Sequence, residues 1–494
     1  MKRILLLSLL LVTACKKTNV SIVEFESHHI QLNIDVKKHY ADLSDTGTMK
    51  VSKGWNLFTL NSSVEIHSFN VEGSKIEYQS FSSKDSTNVP VEFRHRLPQG
   101  NPHEVEQIIA FQSKTNTNKP FSISYSGEFY ENVEDVHFSN ENVGREVTAT
   151  ISDQGAYFSP SSSYYPMGNE SMANFKLTAN IPDNWESISD GNRLSNESKD
   201  GRKIQSWGNP YKNDGNMFMA APFVTKSTFV DDIEVACYFF EADTGLFDQY
   251  LPATVGYIRQ YSELIGPYPY KRFTVVENFF PTGYGMPAWT LLGQQVIRLP
   301  FIVFTSLGHE VLHNWWGNSV YVDYERGNWC ESATVYGADY RYKLQRSSDA
   351  AKTYRKDILK QYVNYVTEDN DFPIRNFINR TSPETRTIGY NKAMMVYHMI
   401  EEEIGTKPFF EAWKLVNTKH QEQKISWEEW VAAFEETSGK DLSHIIPQWI
   451  EQDGAPILDL KLNDASEKYV DFTLLEKSGQ NYRLEVPIHF DSGF

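Results

Sequence analysis

The chain has 494 residues, of which 40% are hydrophobic and 22% are charged, and its formal net charge at neutral pH is −17. This acidic balance argues against nucleic acid as a partner and against electrostatic adsorption to anionic lipids. With three cysteines the protein is not a disulfide scaffold, and we expect Cys237 and Cys330 to be buried free thiols.

The first predicted element is an export signal. Met1-Lys2-Arg3 precedes an apolar run at 4–12 that is too short to span a bilayer as a permanent helix. Val12-Thr13-Ala14-Cys15 resembles a bacterial lipobox, in which the cysteine becomes the acylated first residue of the mature protein. We therefore predict removal of residues 1–14, a lipid on Cys15 as the membrane attachment, and a location in the cell envelope facing the periplasm or the exterior. An ordinary signal peptide with an incidental cysteine is the alternative.

An all-β domain is predicted for residues 20–228. Apolar and polar residues alternate there in short runs, such as Ile30, Leu32 and Ile34, and clusters of Asn, Gly, Ser and Pro separate the runs. Alternation with a period of two is typical of strands that bury one face.

A mainly helical domain is predicted for residues 229–455, and a short β segment for 456–494. After strands near 235–240 and 273–278 and a helix near 246–264, the apolar period lengthens to that of helices. The predicted helices cover 302–317, 330–346, 350–367, 389–404, 408–420, 426–438 and 441–451. Alternation returns at 457–462, 469–475 and 482–490. The predicted fold class is therefore multidomain α+β.

A run from His309 to His313 in the helical domain has the spacing of a catalytic metal site. Residues four apart share one face of a helix, so both imidazoles can point at one ion while Glu310 lies about 100° away. Such a run also arises by chance, but this one lies in an apolar segment where unligated polar side chains would be costly. Glu331 can add a carboxylate, and this donor set suits one zinc ion with an open coordination position. Cys330 would point away from such a site.

Several motifs together resemble the aminopeptidase N family of gluzincin metallopeptidases, which also includes leukotriene hydrolase. They are G-P-Y-P-Y at 266–270, H-E-V-L-H-N-W-W-G-N at 309–318, Y-N-K-A at 390–393, Q-W-I at 448–450 and G-A-P at 454–456. The resemblance implies an N-terminal β-saddle, a thermolysin-like catalytic domain and a small C-terminal β-sandwich. It also implies that His309, His313 and Glu331 are the zinc ligands, that Glu310 is the general base and that Tyr390 donates to the developing oxyanion.

The chain departs from the family where the substrate is anchored. The family's G-x-M-E-N stretch, which binds substrate, appears here as Tyr284-Gly285-Met286-Pro287-Ala288, so the glutamate is lost. We predict that Gly285 and Met286 still bind substrate. Pro287 can neither accept the charge of a substrate amine nor donate a main-chain hydrogen bond. The N-terminal domain of the family supplies a second anchor, but residues 157–166 contain only Ser, Pro and aromatic side chains. We therefore expect a weakened demand for a free N-terminus, as in an oligopeptidase or endopeptidase.

Two further departures concern spacing and length. His313 and Glu331 are separated by 17 residues, one fewer than is usual in the family, and Ser332 replaces a glycine. Because Gly327-Asn328 offers a flexible turn, we choose Glu331 as the ligand over Asp323 and Glu325. Residues 456–494 are too few for the family's β-sandwich, so we expect them to pack on the catalytic domain, unless the chain is a fragment.

The sequence thus predicts a zinc metallopeptidase that acts on peptide or protein substrates. Two alternatives stay open: a catalytically inactive lipoprotein that binds peptides, and a zinc hydrolase that acts on a bond other than the peptide bond.

Overall fold

The computed structural model describes residues 19–82, 89–90, 93, 106–134, 136, 147–169, 172–466, 469–480, 482–484 and 486. The predicted export signal and Cys15 lie outside these residues. Among the helices of the described part, none is long and apolar enough to cross a membrane.

The N-terminal region is built from strands, as predicted. Its described strands are β1 Val20–Ile22, β2 Glu24–Asp35, β3 Tyr40–Val51, β4 Gly54–Asn61, β5 Val64–Val71, β6 Ser74–Lys75, β7 Tyr78–Ser82, β8 Glu106–Ser113, β9 Thr117–Glu128, β10 Ala149–Ile151, β11 Ala156–Phe158, β12 Asn174–Pro182, β13 Glu186–Ser189, β14 Asn192–Lys199, β15 Arg202–Gly208 and β16 Phe218–Ala221. Within the described residues they form three sheets, in the orders β14-β15-β12-β2-β3-β9-β5-β6, β1-β4-β8-β7 and β10-β11-β16-β13. Ile30, Leu32 and Ile34 on β2 are all buried, which explains the alternation in the sequence.

A fourth sheet joins the N-terminal region to the helices. Its members are β17 Val224–Val230, β18 Ile233–Phe239, β19 Arg272–Asn278, β20 Gly283–Met286 and β21 Trp289–Gly293, in the order β17-β18-β19-β21-β20. Val235 and Cys237 on β18 lie in the helical core, whereas Ala236 and Tyr238 lie in the β core. Because successive side chains of a strand point to opposite faces, this sheet is buried between both cores. Since β17 belongs to it, the sheet begins before the predicted boundary at residue 228.

The second region is mainly helical. Within the described residues its helices are α1 Phe247–Ile265, α2 Gln294–Ile297, α3 Ser306–Leu312, α4 Cys330–Val335, α5 Arg341–Arg346, α6 Ser348–Tyr365, α7 Pro383–Arg386, α8 Ala393–Ile404, α9 Thr406–His420 and α10 Trp427–Ser438. Its shorter turns are the π-helical Tyr336–Tyr340, Thr387–Lys392 and Ile446–Ile450 and the 3-10 turns Glu241–Leu246, Ile302–Phe304, Tyr324–Arg326 and Ile374–Asn376; the N-terminal region has the 3-10 turns Val36–Lys38 and Pro160–Ser162. A small ladder pairs β22 Tyr321–Val322 with β23 Lys424–Ile425.

The helix that was predicted for 302–317 is much shorter in the structure. α3 ends at Leu312, and Asn314 turns its side-chain amide back to donate to the Val311 carbonyl oxygen at 3.2 Å. Gly317 then adopts φ +99°, a left-handed conformation that suits glycine and excludes a continuing helix. The periodic apolar residues beyond Leu312 are buried because they follow this turn into the core.

An aromatic core supports the helices that carry the predicted ligands. Trp316, Trp329, Trp413 and Trp430 are fully buried, and their ring centroids lie between 5.0 and 6.1 Å apart in the pairs that touch. Truncating one such side chain to alanine costs about 3–5 kcal/mol of stability. Residues 316 and 329 bracket the loop between the predicted histidine and glutamate ligands, so this core fixes that loop.

The C-terminal β segment forms one hairpin in the described residues. Its strands are β24 Leu458–Ala465 and β25 Val470–Glu476. Leu460 is 65% exposed and Leu462 is 61% exposed, so the expectation that these strands pack on the catalytic domain is wrong. The third predicted strand, at 482–490, lies largely outside the described residues. Beyond the hairpin, the chain returns to the helical region, where the Gln448 side chain donates to the Arg483 carbonyl oxygen at 2.9 Å.

Candidate metal centre

The helix α3 presents the two histidines to the same point. Its buried face, with Leu307, Val311 and Leu312, packs in the helical core, and His309 and His313 project from the other side. The G-P-Y-P-Y motif holds the end of this helix, because the Trp315 indole donates to the Gly266 carbonyl oxygen at 3.1 Å.

Glu331 reaches this point from the start of α4. Asn328 organises the turn before it: its side-chain oxygen accepts from the Cys330 amide at 2.9 Å, and its amide donates to the Ile378 carbonyl oxygen at 2.8 Å. The Trp329 indole also donates to the Ile425 carbonyl oxygen at 2.8 Å. These contacts hold the loop that is one residue shorter than the family pattern.

The three predicted ligand atoms form a small triangle. The Nε2 atoms of His309 and His313 lie 3.1 Å apart, and the Oε2 atom of Glu331 lies 3.4 Å from the first and 3.6 Å from the second. Ligands about 2.0–2.1 Å from a tetrahedral zinc ion are separated by roughly 3.3–3.4 Å. The two imidazoles and one carboxylate therefore fit one zinc ion by distance and by donor chemistry.

The other ring nitrogen of each histidine has a partner. His309 Nδ1 lies 2.8 Å from the Asp339 carboxylate, and His313 Nδ1 lies 3.0 Å from the Trp316 carbonyl oxygen. Since both partners accept hydrogen bonds, each ring carries its proton on Nδ1 and directs the lone pair of Nε2 toward the site. Cys330 Sγ, at 3.4 Å from His313 Nδ1, lies on this outer side and outside the ligand triangle.

Neighbouring charges shift the pKa values of the predicted ligands. Burial disfavours the charged imidazole, but Asp339 and Glu331 outweigh it and raise the pKa of His309 to about 9. Burial also disfavours the Glu331 carboxylate, yet the two imidazoles hold the pKa of Glu331 well below its usual range. Without a metal, His309 therefore holds a second proton that a cation at Nε2 would replace, and Glu331 stays ionised.

Glu310 lies beside the triangle and under the strand β20. A Cβ atom at Gly285 would come within 2.7 Å of Glu310 Oε2, so only glycine lets the strand pass this close. Burial raises the pKa of Glu310 above its ordinary value, which makes this carboxylate a stronger base.

Tyr390 faces the triangle from the π-helical turn that precedes α8. Burial and the neighbouring Glu331 raise the pKa of the Tyr390 hydroxyl well above its ordinary value, so it stays protonated and can donate. The Phe377 ring packs edge-on against it at 5.9 Å between centroids and orients it.

A cleft of about 560 Å³ lies over these groups and is lined by both regions of the chain. The N-terminal region contributes Tyr157, Ser159, Pro160 and Ser161, which is the segment where the family's second amine anchor was expected. Gly285 and Met286, for which substrate binding is a prediction, also line the cleft.

The position of the missing glutamate lies in a buried turn. Pro287 and Ala288 connect β20 to β21. The Gly191 amide donates to the Pro287 carbonyl oxygen at 2.9 Å, and the Ala288 amide donates to the Asn314 side-chain oxygen at 2.9 Å. Pro287 is buried and is not among the residues that line the cleft.

Comparison with known proteins identifies the domain that carries this site. Residues 259–449 match the model of the peptidase family M1 domain. Residues 259–449, which carry the metal site, are therefore a peptidase family M1 domain. The predicted family is thereby confirmed.

The similarity to individual M1 proteins is distant. The chain is 22% identical to aminopeptidase M1 of Arabidopsis thaliana over 321 residues, which are 59% of this chain and 35% of the relative. It is 28% identical to aminopeptidase N of Escherichia coli (strain K12) over 170 residues, 33% of this chain and 19% of the relative. The aligned segments thus span about a third or less of these curated relatives.

The fold has a fuller counterpart among solved structures. A mutant of the M1 zinc metallopeptidase of Deinococcus radiodurans superposes with a TM-score of 0.67 and 12% identity, covering 88% of this chain and 96% of that one. A second structure of that mutant, bound to a Tyr-Ser-Ala substrate, gives a TM-score of 0.65 with the same coverage. The predicted arrangement of a β-rich N-terminal domain and a helical catalytic region is confirmed.

Asp339 is the residue of this M1 domain that the sequence did not reveal. It follows Glu331 by eight positions, which on a regular α-helix would place it about 80° from that ligand. The π-helical turn Tyr336–Tyr340 adds a residue to the helix and rotates Asp339 back toward the metal site. Only a signal for that π turn could have pointed to Asp339.

Proposed function

We propose that this protein is a zinc-dependent peptidase that hydrolyses peptide bonds without requiring a free substrate amine. The ligand triangle of His309, His313 and Glu331, with Glu310 beside it in an open cleft, is the observation that carries the proposal. The curated relatives are named aminopeptidases, and peptide-bond hydrolysis is the part of their activity that we carry over.

Each catalytic side chain has a distinct task in this proposal. His309, His313 and Glu331 would hold a zinc ion, which would supply Lewis acidity for polarising a carbonyl and acidifying water. Glu310 takes the proton from the attacking water and returns it to the leaving amine, for which its raised pKa suits it. Tyr390 donates a hydrogen bond to the oxyanion that develops on the scissile carbonyl, an effect typically worth about 3 kcal/mol.

The proposed tolerance of blocked N-termini rests on the walls of the cleft. Pro287 replaces the anchoring glutamate of the family and is buried in its turn. From the N-terminal region, Tyr157, Ser159, Pro160 and Ser161 line the cleft and contribute no carboxylate. An ammonium group at either place would have no formal counter-charge.

We also propose that the protein is attached to a bacterial membrane through a lipid on Cys15, with no nucleic acid partner. Incorporation of a labelled fatty acid by the wild type and its loss in Cys15→Ser would support the attachment. Equal labelling of both, or labelling of neither with release of a soluble protein, would contradict it.

Substrate blocking and chelation test the activity. Zinc-loaded protein and chelator-treated protein should be offered internally quenched peptides, the same peptides N-acetylated, and amino-acid anilides. We expect chelator-sensitive cleavage of both free and acetylated peptides. Stepwise release of single residues from free-amine substrates alone would refute the tolerance of blocked N-termini. Absence of cleavage with zinc bound would refute the peptidase and favour a binding protein.

A further inference from the structure

The cleft over the metal site has an uneven distribution of charge. Among its lining residues, the carboxylates belong to Glu310, Glu331 and Asp339, and the permanently positive groups belong to Arg380 and Arg386. In a chain with net charge −17, two arginines beside the three carboxylates are a local concentration of positive charge.

The carboxylates are already engaged, whereas the arginines are not. Glu331 belongs to the ligand triangle, Asp339 orients His309 at 2.8 Å, and Glu310 is the base beside them. Arg380 and Arg386 are exposed, and no ion pair or hydrogen bond joins either guanidinium to any group of the described residues. The two charged groups of this cleft that have no role in the metal site are therefore both positive.

The two arginines lie on the segment that leads to Tyr390. The Arg380 guanidinium carbon lies 6.0 Å from the centroid of the Tyr390 ring. Arg386 ends α7, one turn before Tyr390, and Ser382 caps the start of that helix. A Cβ atom at Gly389 would come within 2.3 Å of the Phe377 ring, so the segment is packed tightly against its neighbour. Both arginines therefore belong to a tightly packed segment next to Tyr390, the proposed oxyanion donor.

The wall across the cleft offers no such charge. It consists of Gly283, Tyr284, Gly285 and Met286 of the strand β20, together with the residues 157–161 of the N-terminal region. An anionic group of a bound ligand therefore has its counter-charges on the Tyr390 side.

We propose that Arg380 and Arg386 bind a carboxylate of the substrate within about two residues of the scissile bond, because extended chains advance about 3.3 Å per residue. The guanidinium fork matches a carboxylate in charge and planar geometry. The carboxylate is either the C-terminus of a short peptide or the side chain of an aspartate or glutamate. This inference rests on the proposed peptidase function and names its preferred substrate class.

Binding to a protein that cannot turn over gives the primary test. Zinc-loaded Glu310→Gln protein should be titrated calorimetrically with one N-acetylated peptide in four forms: free carboxyl, C-terminal amide, amide with Glu near the end, and the same with Gln. We expect a carboxylate to lower Kd about fivefold to tenfold. The free-carboxyl and Glu arms identify which source the arginines bind.

Charge removal provides the matched comparison. In the same background, Arg380→Gln/Arg386→Gln should reduce the carboxylate preference to within twofold, with no change in zinc content or thermal midpoint. Arg259→Gln removes one exposed arginine on α1 outside the cleft and should leave the preference intact. Equal Kd values for all four peptides, or a preference that survives the double substitution, would overturn the inference.

Failure of the inference and failure of the peptidase proposal have different signatures. Cleavage by otherwise wild-type protein without any carboxylate preference overturns the arginine site and leaves the peptidase standing. An arginine-dependent preference in binding, with no cleavage of any peptide, overturns the peptidase and leaves the carboxylate site standing.

Discussion

The two walls of the cleft follow different principles of construction. The metal wall is a network in which each ligand nitrogen is backed by a partner, as for His309 and Asp339. The opposite wall is a hairpin whose tight turn, Pro287-Ala288, is held through its main-chain atoms, by the Gly191 amide and the Asn314 side chain. A substitution among the metal ligands and their partners disturbs several buried charges. A substitution in the turn Pro287-Ala288 can leave the main chain of the strand in place. Bond-breaking chemistry and substrate anchoring are therefore separable in this fold.

Removing the base gives the sharpest test of the metal wall. We expect Glu310→Gln to lower kcat by about 10²–10⁴-fold with unchanged zinc content, because the amide cannot accept the proton of water. Peptide cleavage rates and metal analysis on the same preparation measure both quantities. A rate within tenfold of the wild type would remove Glu310 from the mechanism.

Tyr390 should rank next. Tyr390→Phe deletes the donor and keeps the ring, so kcat should fall by about 10²–10³-fold with little change in KM. Tyr354→Phe, which removes another hydroxyl from the cleft lining, is the matched control and should cost little. Similar losses in both variants would point to general disturbance of the cleft.

Asp339 tests the support behind the ligands. Asp339→Asn should weaken zinc affinity by about 10–100-fold, because a neutral amide holds the His309 ring less firmly and makes Nε2 less basic. Competition with a calibrated chelator measures the affinity. Unchanged affinity would show that the ligand triangle does not depend on this partner.

Gly285 tests how closely the two walls approach each other. We expect Gly285→Ala to lower kcat about tenfold at constant zinc content, because its methyl group must displace the Glu310 carboxylate. Gly283→Ala on the same strand is the control, since its added methyl group meets no atom within 4 Å. Equal rates for both variants would contradict the close contact between the walls.

The smallest effect concerns the sheet behind the hairpin, where Glu277 lies on β19. Burial raises the pKa of Glu277, so the folded protein keeps a proton that the unfolded chain releases above about pH 5. The free energy of unfolding should therefore fall as pH rises from 5 to 9, by an amount on the order of 1–3 kcal/mol. Glu277→Gln, which resembles the protonated form, should flatten this dependence. Denaturant titrations of both proteins across the pH range measure this free energy. If Glu277 ionises normally in the folded protein, the wild type and Glu277→Gln will show the same dependence on pH, which would contradict the prediction.

Much of the site could be predicted from the spacing of residues along the sequence. The four-residue separation of His309 and His313 predicts a shared helical face whatever surrounds it, and the structure brings their Nε2 atoms together. The catalytic roles of Glu310 and Tyr390 remain predictions, although both lie beside the ligand triangle. The predicted helix at 302–317 was too long because apolar spacing continues through a turn that Asn314 and Gly317 create.

By itself, the sequence determined the residue types of a metal site, the order of β-rich and helical regions, and the loss of a glutamate at position 287, because these follow from chain-local periodicity and side-chain chemistry. Tertiary structure decided that Asp339 backs His309, that Pro287 is buried, that the C-terminal hairpin stands clear of the catalytic core and that Arg380 and Arg386 line the cleft. Each of these depends on π turns, loop closures or contacts between segments far apart in the chain, whose geometry arises only when the whole core packs.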